Sequence, residues 1–334
     1  MLQKTGFSVD LPLSMIRKTA VILCLSILLL LGLFIWLPIR WTVSRSVGIN
    51  ASIFKVAYQI NDLRHWNNWY PELMDSSPSA FSYSLDPASG HPQVRNGKIC
   101  ITLNEINPEA VQVRDSSGTG DFYFSLYAVP DSEGRTSRLN WDTQVSALGW
   151  IREKWRRESL ASRSLANLKS FMEDPFRYYG FRIALLTVPD SLVLTSTRKS
   201  SRKERLTTLK ELYSRLSRFA QIHHLNDDAD SPRMAGFQQV TGDSVICMAG
   251  IPVVRHGPPQ EGIAYLQMPP KGKMLVGYYQ GNYAGLINLY RAMNQYIADK
   301  HLQQIAVPYE KYMFQPVTPA DSLHMVIELH YPIL

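Results

Sequence analysis

The chain has 334 residues, of which 45% are hydrophobic and 19% charged, and a formal net charge of +7. That length accommodates two domains beyond any anchor, and the balance describes a packed core, which excludes a disordered chain. Three scattered cysteines imply neither a disulfide framework nor a cysteine metal site, and no basic block is long enough for a nucleic-acid arm.

Thr19 to Leu37 is uncharged and almost wholly apolar, with Arg17-Lys18 before it and Arg40-Trp41 after it. At about 1.5 Å per residue such a run matches a bilayer core. The expectation is an N-terminal tail over 1–18 and a transmembrane helix over 19–38. A cleaved signal peptide is the rival, but no small-x-small site follows Leu37-Pro38-Ile39-Arg40. The protein is thus expected in the cell membrane as a single-pass chain, touching the lipid bilayer through residues 19–37, with its folded domains outside the cytoplasm.

From Thr42 the pattern becomes that of an α+β domain. Val43 to Ile49 alternates as a strand, and Asn50-Ala51-Ser52 can cap a short helix carrying Ile53, Phe54, Val56 and Ala57. Four further strands are predicted: Ile99 to Ile106, Ala110 to Arg114, Phe122 to Val129 and Arg138 to Val145, separated by turns with Gly118, Gly120 and Gly134. A long helix from Gly149 to Glu173 closes the unit. Its apolar positions include Ile151, Trp155, Leu165, Leu168 and Met172. Its arginines face water in the simpler reading and an anionic membrane surface in the sharper one.

Between the first helix and those strands stand Asp62, Trp66, Trp69 and Pro71. This order of strand, short helix, Asp-x-x-x-x-Trp-x-x-Trp-x-Pro, antiparallel strands and long helix resembles the START-like superfamily of polyketide cyclase and SRPBCC domains, over 42–173. The resemblance implies a curved sheet gripping a long helix, with an apolar ligand between them. The two tryptophans read as core anchors, and no acid–base pair stands out in this stretch.

Residues 174–180 read as a helix stop and linker. Beyond them most of a unit occurs twice. Leu209, Leu212, Tyr213, Leu216, Phe219 and Ala220 answer Leu286, Leu289, Tyr290, Met293, Tyr296 and Ile297 at an offset of 77, each set being one apolar helix face. Both helices run out at His-Leu, His224-Leu225 and His301-Leu302. The halves, about 181–254 and 262–334, each read strand-helix-strand-strand and are expected to share one sheet with both helices on one face. The basic run Arg198 to Arg205 is read as a solvated loop before the first helix.

Strand periodicity places Glu310, Tyr312 and Phe314 on one face, and Tyr309, Lys311 and Met313 on the other. The matching positions of the first half are Arg233, Ala235 and Phe237, so only the second half supplies an acid. A carboxylate on an aromatic face requires a raised pKa or a cationic partner, and rings around it attract cations. A solvated Glu310, or one paired with Arg233, is the plainer alternative.

Lys271-Gly272-Lys273, Tyr279-Gln280-Gly281-Asn282-Tyr283, Leu289-Tyr290, Glu310-Lys311-Tyr312 and Tyr331-Pro332-Ile333 resemble a GyrI-like effector-binding domain over 181–334. The resemblance implies an aromatic cleft between the halves in which Glu310 meets bulky, often cationic, ligands. Glu310, Tyr312, Phe314, Tyr283 and Phe237 are the expected ligand-binding residues. Some members of that family hydrolyse reactive small molecules, which would make Glu310 the general base and Tyr283 and Tyr312 its partners. A non-catalytic scaffold is the third possibility. No DNA-binding helix-turn-helix precedes the module, so a nucleic-acid partner is not expected. His-Glu-x-x-His, Gly-rich phosphate loops and Gly-x-Ser-x-Gly are absent, and no cofactor or metal is expected.

Overall fold

The apolar run near the N-terminus is where sequence and structure part. In the computed structural model residues 21–29 and Gly32 are helical. Among the described residues no helix is long and apolar enough to cross a membrane. That finding overturns the expected span and the single-pass membrane location built on it. The structure describes the chain apart from residues 1–20, 30–31, 33–39, 75–80, 98, 108, 117–119, 131–134, 147–148, 152–158, 189–191, 226–231, 269–270 and 314–324. Part of the expected span therefore lies outside the described residues, as do Trp155 and Phe314.

The chain divides into two units, Met1–Ser170 and Phe171–Leu334. In the first, β1 (Trp41–Ile49), β2 (Ser82–Leu85), β3 (Pro92–Asn96), β4 (Ile99–Ile106), β5 (Ala110–Asp115), β6 (Gly120–Ala128) and β7 (Ser137–Val145) form one antiparallel sheet, ordered β1-β7-β6-β5-β4-β3-β2. Alternation aims Phe122, Phe124 and Leu126 of β6 and Leu139 and Trp141 of β7 into the core. β2 and β3 are additions to the expected strands. β2 is exposed along its whole length, so no buried alternation announces it.

Helix α1 (Ile53–Ile60) follows Ser52, whose side chain makes no capping hydrogen bond. Asp62 caps the 3-10 turn Leu63–Asn68, accepting from the Arg64 amide at 2.9 Å and from its guanidinium. That hydrogen bonding holds the Asp62 carboxyl below the usual carboxylate range. Trp66 and Trp69 are fully buried, and Trp66 Nε1 donates to the Ile60 carbonyl at 3.1 Å. They pack with Tyr70, Phe122, Phe124 and Trp141 as core anchors. Of the expected long helix, residues 149–151 are helical and α2 runs Leu160–Glu173.

The second unit begins with a helix where a linker was expected. Asp174 caps α3 (Pro175–Tyr179), and Gly180 closes it at φ 78°, a backbone that favours glycine. Strands β8 (Ile183–Thr187), β9 (Leu192–Ser201), β10 (Arg233–Gln239), β11 (Ser244–Val253), β12 (Ala264–Gln267), β13 (Lys273–Gly281), β14 (Tyr309–Tyr312) and β15 (Met325–Ile333) form one antiparallel sheet. Its order is β12-β9-β11-β10-β14-β15-β13-β8. Each half thus has a leading strand beyond the expected four elements, and the leading strands are exchanged. β8 pairs with β13 of the second half, and β12 pairs with β9 of the first. The basic residues Arg198 and Lys199 lie in β9, not in a loop.

Helices α4 (Arg205–Ile222) and α5 (Leu286–Asp299) bury their predicted faces in one core cluster with the sheet. They therefore lie on one face. Their ends are built alike. His224 and His301 are left-handed at φ 50° and 52°, and Leu225 and Leu302 donate backward to Ala220 and Ile297 at 2.9 and 3.0 Å. This is the hydrogen-bond pattern that terminates a helix by satisfying its last carbonyls. The paired His-Leu signature is a helix stop.

Candidate functional site

β14 is only four residues long, yet its two faces differ in kind. Tyr312 joins the core beneath the helices, while Tyr309 joins a smaller cluster with Val188, Val193, Met268, Met274 and Val276 on the other face. Glu310 shares the face of Tyr312. Across the ladder it stands opposite Ala235 on β10 and Leu329 on β15. Both neighbours are apolar, and Ala235 is small enough to leave its carboxylate room.

Glu310 is 1% exposed. Three phenols from separate parts of the chain donate to it. Tyr312 reaches Oε2 at 2.5 Å, Tyr290 of α5 reaches Oε1 at 2.8 Å, and Tyr283 reaches both oxygens at 3.1 and 3.2 Å. Tyr283 is positioned by a 3-10 turn whose cap, Asn282, accepts from the Gly285 amide at 2.8 Å. Among the described residues no cation lies within ion-pair reach of Glu310.

Burial pushes the Glu310 carboxyl above its usual range, while the hydrogen bonds from Tyr312, Tyr290 and Tyr283 and the charge of Arg205 work against it. Burial first, then the Glu310 charge, holds the phenols of Tyr283, Tyr290 and Tyr312 above the ordinary phenol range. That direction agrees with the geometry, in which all three hydroxyls donate to Glu310.

Arg205, the first residue of α4, completes the surroundings. Its Cζ lies 5.3 Å from the centre of the Phe237 ring and 5.4 Å from that of Tyr283. Both are cation–π distances. Arg233 is elsewhere: its Cα faces Tyr312 across the ladder and its guanidinium lies 5.2 Å over Tyr213, so it makes no pair with Glu310. Tyr213 is buried and donates to the Met234 carbonyl at 2.7 Å.

The structure therefore brings together Glu310, Tyr312 and Tyr283, with Phe237 linked to them through Arg205. Tyr290 and Arg205 were missed. Helical periodicity counted Tyr290 as one more apolar position, and the hydroxyl that distinguishes it is invisible to that count. Arg205 ended a run read as solvated. A groove of about 390 Å³ lined by His256, Gly257, Gln260, Glu261 and Tyr265 holds none of the expected site residues. Among the described residues no cluster of His, Cys, Asp and Glu could hold a metal ion.

No protein-family model matches the chain, and no curated protein matches it. Solved structures similar to it include the C-terminal domain of EcmrR, at 14% identity over 46% of this chain and 98% of that one, with a TM-score of 0.39. A hydrolase from Listeria innocua is 11% identical over 46% of this chain and 92% of that one, with a TM-score of 0.34. SAV2435 bound to tetraphenylphosphonium is 13% identical over 46% of this chain and 93% of that one, with a TM-score of 0.33. At these scores the likenesses carry no argument about this chain.

Proposed function

We propose that residues 181–334 form a GyrI-like small-molecule-binding domain in which Glu310 is the counter-charge for a bulky aromatic cation. Tyr283, Tyr290, Tyr312 and Phe237 supply the rings. The observation that carries this reading is a carboxylate 1% exposed, surrounded by phenols, with no cation in ion-pair reach among the described residues. Burying such a charge without a cation is costly, and phenol hydrogen bonds offset only part of that cost. A ligand cation would supply the rest, helped by the ring faces. Residues 42–173 are proposed as a START-like domain. Its interior holds Trp69 Nε1, Tyr70 OH and Trp141 Nε1 buried and without hydrogen-bond partners among the described residues, so an apolar ligand there would carry an acceptor oxygen.

Isothermal calorimetry tests the first proposal with two probes of similar bulk, tetraphenylphosphonium and neutral triphenylphosphine oxide. Glu310→Gln is expected to weaken the cation at least tenfold, about 1.4 kcal/mol, and to spare the neutral probe. Equal loss for both, or none, removes the counter-charge role.

The convergence of phenols and carboxylate also supports a catalytic reading. Glu310 would take a proton from a water that attacks an ester carbonyl, while Tyr283 or Tyr312 turns its single O–H from Glu310 to the developing oxyanion; collapse of the tetrahedral adduct would break the ester C–O bond, and the departing oxygen would take the proton back from Glu310. Turnover of p-nitrophenyl acetate by the intact chain that disappears in Glu310→Gln would establish it. Turnover equal in both proteins would dismiss it.

A further inference from the structure

Arg205 occupies the geometry that a cationic ligand would want. Its guanidinium lies against the rings of Phe237 and Tyr283 at 5.3 and 5.4 Å. Tyr283 faces two ways, with its ring toward Arg205 and its hydroxyl on Glu310 at 3.1 Å. The pair of rings therefore already holds a cation, one ring away from the buried carboxylate and outside ion-pair reach of it, and that cation belongs to the protein. Among the described residues Arg205 has no carboxylate within ion-pair reach. It also stands at the first position of an 18-residue helix whose first turn contains no acidic residue. The helix dipole is positive there and opposes a cationic side chain. Arg205 is held by ring faces and by the field of Glu310, and its own helix works against it.

We propose that Arg205 competes with cationic ligands for the Phe237–Tyr283 ring pair, so that a lipophilic cation binds by displacing the guanidinium. This rests on the reading of Glu310 as the counter-charge. Arg205 is then the specificity-determining residue of the site. It sets a threshold that only cations stacking better than a guanidinium on two rings can pass, and it admits anions of the same shape that Glu310 alone would reject.

Calorimetry with tetraphenylphosphonium and its anionic counterpart tetraphenylborate, on the intact chain and on Arg205→Gln, tests this directly. Arg205→Gln is expected to tighten tetraphenylphosphonium about tenfold and to weaken tetraphenylborate. Cation affinity that is unchanged or lower in Arg205→Gln, while the parent chain binds it, overturns the displacement and leaves the counter-charge reading standing. If neither protein binds the cation, both fall.

A ligand-free measurement separates the two further. The protonated Glu310 carboxyl can be followed by its infrared C=O band, identified as the band lost in Glu310→Gln. Removing the guanidinium should raise the pH at which that band disappears. An unmoved band means Arg205 does not act on the carboxylate, and the proposal fails whatever the calorimetry shows.

Discussion

The two halves of the second unit are one scaffold carrying opposite charges. Tyr213 and Tyr290 hold equivalent places on α4 and α5, and Arg233 and Glu310 hold equivalent places on β10 and β14. In the first half Arg233 lies over the face of Tyr213, whose hydroxyl donates to a backbone carbonyl. In the second half Glu310 meets the hydroxyl of Tyr290. A ring face is negative and a phenol O–H is positive, so each charge takes the part of the tyrosine that suits it. The comparison shows two halves that share a helix tyrosine and differ around it, for Arg233, Ala235 and Leu206 of the first half stand where the second has Glu310, Tyr312 and Tyr283.

The sharpest way to break that comparison is to remove each hydroxyl in turn. Tyr290→Phe leaves a buried carboxylate short of a donor and should cost about 2 kcal/mol, whereas Tyr213→Phe forfeits a bond to a carbonyl and should cost about 1 kcal/mol. Urea denaturation of the two variants measures the difference. Equal costs would mean that Glu310 does not depend on Tyr290.

The next effect lies in pH. Burial raises the folded pKa of Glu310 above its unfolded value, so between the two the folded chain holds more protons. Stability should then fall as pH rises through that window, and Glu310→Gln should flatten the fall. Glu328, on the other face of the same sheet, has the opposite sign. Its hydrogen bond with His330 at 3.0 Å, with Lys311 beyond, holds its carboxyl below the usual range. Its contribution is present above the ordinary carboxylate pKa and is lost as pH falls through the folded one. Thermal melts between pH 3 and pH 8 should show both variants departing from the parent toward the upper end of that range and in opposite directions, Glu310→Gln by a gain and Glu328→Gln by a loss.

Smaller again is Lys311→Met. The Lys311–Glu328 pair is partly exposed, at 3.6 Å, and its loss should cost less than about 1 kcal/mol in a urea titration. The smallest effects are the two that should agree between halves. His224→Gly and His301→Gly each relieve a left-handed residue at a helix end, and each should stabilise by about 0.5 kcal/mol. Disagreement between them would show that the two helix stops are not equivalent.

Much of the second unit was legible because its signals are local. Period-3.6 faces, paired His-Leu stops and an acid present in one copy only all follow from spacing along the chain. The exchange of β8 and β12 was not legible, since alternation along a strand states which residues are buried and not which edge the strand joins. β2 and β3 escaped for the opposite reason, as short strands with little burial pattern. Tyr290 and Arg205 were misread because each was classed by average behaviour, one as an apolar helix position and the other as part of a solvated run. The apolar run over 19–37 was over-read, because composition suggested a membrane span and among the described residues no helix long and apolar enough to cross a membrane exists.

By itself, the amino-acid sequence determined that two related halves occur, which helix faces are buried, and that a lone acid stands at 310 among aromatics. Only the tertiary structure decided that Tyr283, Tyr290 and Tyr312 converge on that acid and that Arg205, not Arg233, is the cation near it. The reason is physical. Burial and periodicity are properties of a segment, but a hydroxyl or a guanidinium finds its partner only when strands and helices distant along the chain are packed together.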